Sequence, residues 1–338
     1  MNKAFFIPSV SFLILMVATT GLACNLASPL PSTAAPVEPA QTTSSIIAPT
    51  ETAAVSSTPA AARPVVPPGD HQQTFNTGGI DRHWILYVPK GYNGSTALPL
   101  VFVLHGLGGN AKGMEPMTGF SDKADKEHFF VAYLNGTGDP QAWNSTLAPD
   151  MDPHVDDVAF VRALVTEIEG HLNVDTKRIY VAGFSNGAAM SYKLGAEMSD
   201  VLAGIAVVEG TIGTNQPDGS VLKLQEPIGP ISLIVFHGKK DSNLPYNGGH
   251  QAGSLDTLSV ADAMTFWITA DKCPGTPIEK TSSDGKTVTD DYISCADGSE
   301  VIFYTLANGQ HQWPKPDNGG AVPATDLIWD FFSHHSMP

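Results

Sequence analysis

The stretch around Ser185 constrains the fold of this chain more than any other. The run Arg178-Ile179-Tyr180-Val181-Ala182 is typical of a buried strand, and the residues from Ala188 onward are typical of a helix. Between them lies Gly183-Phe184-Ser185-Asn186-Gly187, in which small residues flank a turn that strains its central residue. The pattern Gly-x-Ser-x-Gly also occurs by chance. Here the strand and helix around it predict that the Ser185 hydroxyl stands above a sheet edge, at the positive end of a helix, as a nucleophile.

A nucleophilic serine needs an acid and a base that follow it in the chain. Asp241 comes shortly after the apolar run 231–236, and reactive groups on open α/β sheets lie just past the carboxyl ends of strands. The alternative for Asp241 is a turn or capping role. Asp271, Asp290 and Asp291 fit worse, because no buried strand leads into them. Asp241 is therefore the predicted acid.

The predicted base is His311, which lies in a loop between a late strand, 301–306, and a closing helix, 324–332. His334 and His335 stand at the end of that helix, where a favourable charge at its C-terminus is the simpler account. His250 lies in a Gly-rich loop, where it can be solvated. The set predicts two-step acyl transfer, in which His311 takes the Ser185 proton, Ser185 attacks an ester carbonyl and Asp241 supports the imidazole.

A second glycine-rich loop supplies candidate donors for the oxyanion. The apolar run 98–104 is typical of a strand buried on both faces, and it ends in His105-Gly106-Leu107-Gly108-Gly109. Such a loop can bring backbone N–H groups close to a reacting atom. The Leu107 N–H and the Asn186 N–H are the predicted oxyanion donors. An ordinary tight turn is the alternative, and the absence of a Walker lysine excludes a phosphate loop.

The remaining elements alternate between strands and helices. The residues predict strands over 82–89, 129–134 and 202–208, and helices over 156–172 and 261–270. This alternation favours an α/β class with a mostly parallel central sheet and helices on both faces. Only about 20 residues separate the strand that ends at 208 from the one that begins at 231, so no large cap domain fits there. We therefore expect an open groove at the site.

The N-terminal region predicts export. Residues 1–23 have an early lysine, a short apolar core and small residues at the end, which is typical of a signal peptide. Gly21-Leu22-Ala23-Cys24 is similar to a lipoprotein cleavage site with Cys24 as the lipidated residue, although Gly21 departs from that pattern and ordinary cleavage after Ala23 also fits. Residues 24–68 are rich in Pro, Thr, Ala and Ser and predict a disordered linker, followed by one domain over 69–338.

The charge and cysteine content of the chain limit the kinds of partner that it can bind. Acidic residues outnumber basic ones, 34 to 18, which disfavours nucleic acid and anionic membrane surfaces, leaving a lipid on Cys24 as the expected link to a membrane. If Cys24 carries a lipid, Cys273 and Cys295 remain as a pair in an exported protein, which predicts a disulfide; two free thiols are the alternative. No metal-binding motif is present, and we expect neither a metal nor a cofactor.

Taken in order, several motifs resemble the polyhydroxybutyrate-depolymerase-like esterases, which include feruloyl and acetylxylan esterases of carbohydrate esterase family 1. They are Val88-Pro89-x-Gly91-Tyr92, His105-Gly106, Ala142-Trp143-Asn144, Val155-Asp156-Asp157-Val158-x-Phe160, Gly183-Phe184-Ser185-Asn186-Gly187, His237-Gly238-x-x-Asp241 with Pro245-Tyr246-x-Gly248-Gly249, residues 267–273, and His311-x-Trp313-Pro314. The resemblance covers roughly residues 70–336 and implies an α/β-hydrolase fold, no metal, and ester bonds in plant polysaccharide or polyester as substrates. Many relatives carry a cysteine where this chain has Leu107.

The leading hypothesis is a secreted or surface-tethered serine ester hydrolase of feruloyl or acetylxylan type. A polyhydroxybutyrate depolymerase is the alternative within the same chemistry, and a non-catalytic surface-binding lipoprotein is the alternative from another class. Trp143, Tyr246 and Trp313 are candidate aromatic walls for a phenolic or sugar group, with local packing as their alternative role.

Overall fold

Long apolar runs that alternate with amphipathic segments build a layered structure around one large sheet. A computed structural model describes residues 66–147, 154–250, 255–318 and 321–338. Its strands, in chain order, are β1 (Gly69–Thr77), β2 (Ile80–Val88), β3 (Leu98–Leu104), β4 (Phe130–Leu134), β5 (Val174–Phe184), β6 (Gly204–Val208), β7 (Gly213–Asn215), β8 (Val221–Lys223), β9 (Ser232–Gly238), β10 (Gly249–His250), β11 (Asp256–Thr257), β12 (Ile278–Thr281), β13 (Thr287–Tyr292) and β14 (Val301–Leu306).

The main sheet has the order β1-β2-β4-β3-β5-β6-β9-β14-β13-β12. Its six middle strands, from β4 to β14, are parallel, while the pairs β1–β2, β2–β4, β14–β13 and β13–β12 are antiparallel. Because the carboxyl ends of parallel strands share one edge, the residues after β3, β5, β6, β9 and β14 converge there. The expectation of a mostly parallel sheet is confirmed.

Strand β3 shows why the middle of the sheet is buried on both faces. All seven of its residues are buried. Leu100, Phe102 and Leu104 contribute to one apolar cluster, whereas Val101 and Val103 contribute to the other. This alternation follows from the twofold repeat of a strand, and a continuous apolar run satisfies both faces at once.

Helices cover both faces, as expected. They are α1 (Ala111–Thr118), α2 (Phe120–Glu127), α3 (Asp157–His171), α4 (Asn186–Glu197), α5 (Val260–Ala270) and α6 (Ala324–His334). Buried residues of α3, α4 and α5, such as Phe160, Tyr192 and Trp267, join the first cluster. Buried residues of α1, α2 and α6, such as Phe120 and Phe332, join the second. The helices therefore cover both faces of the sheet and leave the ends of its strands uncovered.

The structure adds elements that the sequence did not reveal. Strand β1 extends the sheet at one end, and the exposed hairpin formed by β12 and β13 extends it at the other. Between β6 and β9 the chain forms only β7 and β8, which join β10 and β11 in a small four-stranded sheet. The expectation that no large cap domain interrupts this part of the fold is confirmed for the described residues.

The predicted disulfide is present: Cys273 is bonded to Cys295. It links the end of α5 to the turn before β14. The predicted signal peptide, Cys24 and all but the last three residues of the predicted linker lie outside the described residues. Among the described helices, none combines the length and the apolar character needed to cross a membrane.

Next to the disulfide, Asp271 places a carboxyl group in the interior. It follows α5, has no exposed surface, and one of its oxygens accepts a 3.4 Å hydrogen bond from the Ile231 N–H. Burial raises the pKa of Asp271 to about 7 from its ordinary value of 3.8. The folded state therefore binds this proton more tightly than the unfolded chain does.

We expect this group to make stability depend on pH. Its contribution is fully present below pH 3.8 and is lost as the pH rises towards about 7, where the folded protein must ionise a buried carboxyl. The Tm of Asp271→Asn should therefore rise relative to that of the wild type, by roughly 5 °C or more, as the pH increases from 4 to 8. Thermal unfolding followed by circular dichroism across that range measures the difference, and a constant offset between the two proteins would contradict the prediction.

Candidate active site

Ser185 occupies the sharp turn between β5 and α4. Its φ is +56° and its ψ is −117°, a region that L residues seldom adopt. A 3.0 Å hydrogen bond from the Ser185 N–H to the Val208 carbonyl stabilises the turn. A Cβ atom at Gly187 would lie 2.5 Å from the carbonyl oxygens of both Leu104 and His105. Glycine at this position therefore lets α4 approach the end of β3.

The loop after β14 brings His311 to this serine. His311 Nε2 lies 2.9 Å from Ser185 Oγ, and His311 Nδ1 lies 2.7 Å from Asp241 Oδ2. The imidazole keeps only 12% of its side-chain surface exposed, and the Asp241 side chain keeps none. The structure therefore brings together the three residues that the sequence predicted. His311 is 126 positions from Ser185 and 70 positions from Asp241 along the chain.

The turn after β9 surrounds the Asp241 carboxylate with donors. Asp241 Oδ1 accepts hydrogen bonds from the backbone N–H groups of Asn243, at 2.7 Å, and Leu244, at 2.8 Å. Burial alone would raise the pKa of Asp241, but hydrogen bonds, chiefly from His311, hold that pKa below its ordinary value. Asp241 is thus a carboxylate at neutral pH, available to orient His311.

The glycine-rich loop after β3 lies against the serine. A Cβ at Gly106 would be 3.1 Å from Ser185 Cβ, and both Leu107 and Asn186 line the same pocket as Ser185. Within the part of the chain that the structure describes, neither the Leu107 N–H nor the Asn186 N–H donates to another protein group. Two unpaired backbone donors beside a serine hydroxyl are the arrangement that an oxyanion requires.

Buried side chains fix this loop in place. The Gly136 N–H donates to His105 Nε2 at 2.9 Å, so the ring proton lies on Nδ1 and is donated to the Gly106 carbonyl at 2.7 Å. Burial lowers the pKa of His105, which keeps the ring neutral. Trp143 Nε1 donates to the His105 carbonyl at 2.9 Å. The position of the Leu107 N–H therefore depends on His105 and Trp143, although neither lines the pocket.

The side chain of Asn186 has a role that the sequence did not suggest. Its Oδ1 accepts a hydrogen bond from the Trp143 N–H at 2.8 Å, and its Nδ2 donates to Ser145 Oγ at 2.9 Å. The first residue of α4 thus anchors the loop that carries Trp143. An amide is needed at this position because it must accept and donate in the same plane.

A buried ion pair supports the other side of that loop. Arg82 donates to Asp157 Oδ1 at 2.7 Å, and both side chains are almost fully buried. Asp157 Oδ2 accepts the Asn144 N–H at 2.8 Å. The guanidinium also lies 3.9 Å from the centre of the Phe160 ring. Strand β2, helix α3 and the Trp143 loop are therefore fixed to one another.

A surface pocket of about 370 Å³ opens above Ser185. Its described lining is largely apolar and includes Gly106, Leu107, Leu147, Phe184, Ser185, Asn186, Asn243, Leu244, Leu255 and His311. Leu107 and Leu255 keep 60% and 45% of their surface exposed. The described part of the site is therefore a largely apolar surface pocket that includes His311 and the two residues with unpaired N–H groups, Leu107 and Asn186.

The three aromatic residues predicted as pocket walls are not among the described residues that line this pocket, so the structure favours their alternative role in local packing. Trp143 is completely buried and Trp313 is 2% exposed. Tyr246 is half-buried and its hydroxyl is 2.8 Å from Thr305 Oγ1. For the two tryptophans the physical reason is that a large ring is buried more favourably in the core than at a solvated rim. Phe184 is the aromatic residue, besides the His311 ring, among the lining residues named above.

A second carboxyl group lies behind Asp241. Glu209 follows β6, is completely buried and has a φ of +53°. It stands directly after a buried strand, the signal that pointed to Asp241, so the sequence could have revealed it. Among the described residues, Glu209, Asp241 and His311 form a group with the right atom types for a metal, their candidate ligand atoms lying within 4.8 Å of one another. These atoms already have partners in the chain, because His311 Nδ1 donates to Asp241 and the Gly238 N–H donates to Glu209.

The fold and this geometry define an α/β-hydrolase with a serine at a strand-to-helix turn, and comparisons with known proteins agree. The family Esterase PHB depolymerase matches residues 82–221. The protein NocK of Nocardia uniformis subsp. tsuyamanensis is 32% identical over 94% of this chain and 93% of its own length. Feruloyl esterase B of Piromyces equi is 30% identical over 76% of this chain and 46% of its own length. The chain belongs to the esterase family of PHB depolymerases and is a carboxylic ester hydrolase.

Solved structures agree on the fold. The acetyl xylan esterase from Aspergillus awamori aligns over 78% of this chain and 99% of its own, with a TM-score of 0.55 and 15% identity. A ferulic acid esterase from Anaeromyces mucronatus, solved with ferulic acid, aligns over 79% and 90%, with a TM-score of 0.52 and 16% identity. At these identities the likeness concerns the fold alone.

The close contact at Gly187 gives a direct test. In Gly187→Ala the new methyl group would overlap two backbone oxygens, so α4 must move away from β3 and the Asn186 and Leu107 N–H groups must separate. We expect kcat/KM on p-nitrophenyl acetate to fall by about 100-fold or more, because displacements near 1 Å at reacting groups cost that much.

Gly170→Ala is the matched control. Gly170 lies near the end of α3, and a Cβ there would meet no atom within 4 Å. This variant should keep full activity and gain stability of up to about 1 kcal/mol, since alanine is the better helix former. Equal activity of both variants would mean that the approach of α4 to β3 does not govern the site.

Proposed function

We propose that this ester hydrolase works by acyl transfer through Ser185, His311 and Asp241. The observation that carries the proposal is the hydrogen-bonded chain from Ser185 Oγ through His311 to Asp241, with distances of 2.9 and 2.7 Å. His311 Nε2 takes the serine proton as Oγ attacks the ester carbonyl. His311 then gives that proton to the departing alcohol and activates water for deacylation.

Backbone N–H groups stabilise the negative charge that develops on the substrate oxygen in the tetrahedral intermediate. In this proposal the N–H groups of Leu107 and Asn186 donate to the oxyanion, which costs no reorganisation because the loop and the helix are already held in place. Asp241 remains ionised throughout and stabilises the imidazolium that forms on His311. Leu107, Asn186 and His311 line the apolar pocket, and Asp241 is buried and hydrogen-bonded to His311.

For the substrate we propose esters of plant cell-wall polysaccharides, with a feruloyl or acetyl acyl group. Support comes from the relatives, which include feruloyl esterase B of Piromyces equi and feruloyl esterase C of Emericella nidulans, the latter 29% identical over 78% of this chain. The leucine-rich pocket suits a neutral acyl group, and the described chain forms no cap domain between β6 and β9, which leaves room for a polymer beside the pocket. The same apolar lining also suits a hydroxybutyrate unit, so a polyester remains the second candidate.

For the location we propose export with residues 1–23 as the signal and Cys24 as a lipid attachment point, and residues 24–68 as the linker to the catalytic domain. The composition of these segments supports it. The disulfide between Cys273 and Cys295 also fits an oxidising compartment.

Replacement of the proposed nucleophile tests the mechanism and the substrate together. The purified wild type and Ser185→Ala are compared on methyl ferulate, acetylated xylan and a hydroxybutyrate oligomer. We expect ferulate or acetate release by the wild type and a loss of at least about 10⁴-fold in the variant, since the attacking oxygen is gone. Ser333→Ala, in the exposed end of α6, serves as the control with unchanged rates.

The three substrates separate the alternatives. Turnover of the hydroxybutyrate oligomer alone would identify a polyester as the substrate class. Activity of Ser185→Ala equal to that of the wild type would contradict the mechanism, and negligible rates in both proteins on all three substrates would favour the binding lipoprotein.

A lipid on Cys24 makes a separate prediction. When the full chain is expressed in a bacterium that processes lipoproteins, the wild type should enter the detergent phase of a Triton X-114 extraction. Cys24→Ser should enter the aqueous phase, because a diacylated cysteine is what confers membrane affinity. Aqueous partitioning of both proteins would favour ordinary cleavage after Ala23.

A further inference from the structure

Glu209 is a buried carboxyl group that the mechanism above does not use. It has no exposed surface, and its two oxygens share one backbone donor, the Gly238 N–H, at 3.0 and 3.1 Å. One of its oxygens, one Asp241 oxygen and a ring nitrogen of His311 lie within 4.8 Å of one another. The two carboxyl groups are therefore neighbours in the buried interior.

Two carboxyl groups can share a hydrogen bond only if one of them carries a proton. The donors around them decide which one does. Asp241 accepts from the Asn243 N–H, the Leu244 N–H and His311 Nδ1, whereas Glu209 accepts from the Gly238 N–H. The negative charge is therefore better stabilised on Asp241, and the proton belongs on Glu209.

The other neighbours of Glu209 agree with this assignment. In the described part of the chain the titratable groups that face it are Asp241, His311 and His237. His237 Nε2 lies 3.4 Å from Glu209 Oε2 but 2.8 Å from the Leu244 carbonyl, to which it donates. Burial lowers the pKa of His237, so the ring is neutral and offers Glu209 no compensating positive charge. Burial, followed by the contact with Asp241, raises the pKa of Glu209 well above its ordinary value.

We propose that Glu209 is a positioning residue for the reaction: it is a neutral carboxylic acid that donates its O–H to the Asp241 carboxylate and fixes that carboxylate for His311. The proposal rests on the triad mechanism proposed above. Glu209 follows β6 and Asp241 follows β9, so neighbouring strands each supply one carboxyl group. Asp241 is ionised and orients His311, and Glu209 is neutral and orients Asp241.

Two substitutions separate the hydrogen bond from the filling of space. Glu209→Gln keeps the shape and an N–H donor, and Glu209→Met keeps the length without a donor. On p-nitrophenyl acetate we expect kcat of Glu209→Gln to stay within about threefold of the wild type. We expect kcat of Glu209→Met to fall at least about tenfold while KM changes by less than about twofold, since the bound substrate does not touch this residue.

The proton on Glu209 has its own signature in stability. A group with a raised folded pKa contributes stability that is fully present below its unfolded pKa, near 4.5, and is lost as the pH rises towards the folded value. The Tm of Glu209→Gln should therefore gain on that of the wild type as the pH rises from 5 to 9. Asp271→Asn is the matched control: it removes a buried carboxyl with a raised pKa elsewhere and should leave kcat unchanged.

The outcomes separate this proposal from the mechanism on which it rests. Equal kcat for Glu209→Met and the wild type, with Ser185→Ala inactive, overturns the role of Glu209 and leaves the triad. If the Tm of Glu209→Gln stays at a constant offset from that of the wild type, or falls relative to it, as the pH rises, the neutral state of Glu209 is overturned, whatever the kinetics. An active Ser185→Ala overturns the triad and, with it, the positioning role, while the Tm gap still reports the proton.

Discussion

The direct passage from β5 into α4 at Ser185 is the constraint on which the rest of the site depends. A serine with φ of +56° is unfavourable in isolation, and the surroundings must hold it there. They do so through the Val208 carbonyl beneath the serine and through Gly187, whose missing side chain lets α4 lie against the end of β3. The same contact brings the β3 loop and the α4 N-terminus together beside the Ser185 hydroxyl.

Backbone N–H groups contribute much of the charge stabilisation in this site, together with the side chain of His311. Asp241 accepts from two N–H groups of its own turn, and the donors near Ser185 that have no protein partner among the described residues are also N–H groups. Side chains such as His105, Trp143 and the Arg82–Asp157 pair act one step further away, by fixing the loops. Backbone dipoles held in this way are already oriented before substrate arrives, which is the condition for effective electrostatic stabilisation.

The sequence was sufficient for the parts of the fold that are local. The apolar run of β3 and the helical spacing of α3 revealed their elements, and both lie within one residue of the expected bounds. The exposed hairpin β12–β13 was missed because none of the residues of β12 is buried, so no apolar periodicity marks it. Helices α1 and α2 are only eight residues long each, too short for a clear pattern.

At the site, the sequence pointed to residues that follow buried strands, and the structure brings Ser185, Asp241 and His311 within hydrogen-bonding distance. What it could not supply was the direction of side chains. The sequence does not show that the Trp143 ring is buried in the core and that its Nε1 donates to the His105 carbonyl. Glu209 satisfies the same positional rule as Asp241, but a catalytic triad requires only one acid, so the sequence pattern alone gives Glu209 no role.

Between β6 and β9 the described chain forms only β7 and β8, and the lack of a larger insertion there has a consequence for the acyl intermediate. A covered site decides which nucleophile reaches the acyl group, because closure excludes competitors and bulk solvent. Here the pocket lies at the surface, with Leu107 at its rim 60% exposed. Under the proposed mechanism, water reaches the acyl group no more readily than other small nucleophiles do. Short alcohols in the medium therefore compete with water for the acyl group. Such an enzyme would exchange one ester for another as readily as the alcohol concentration allows.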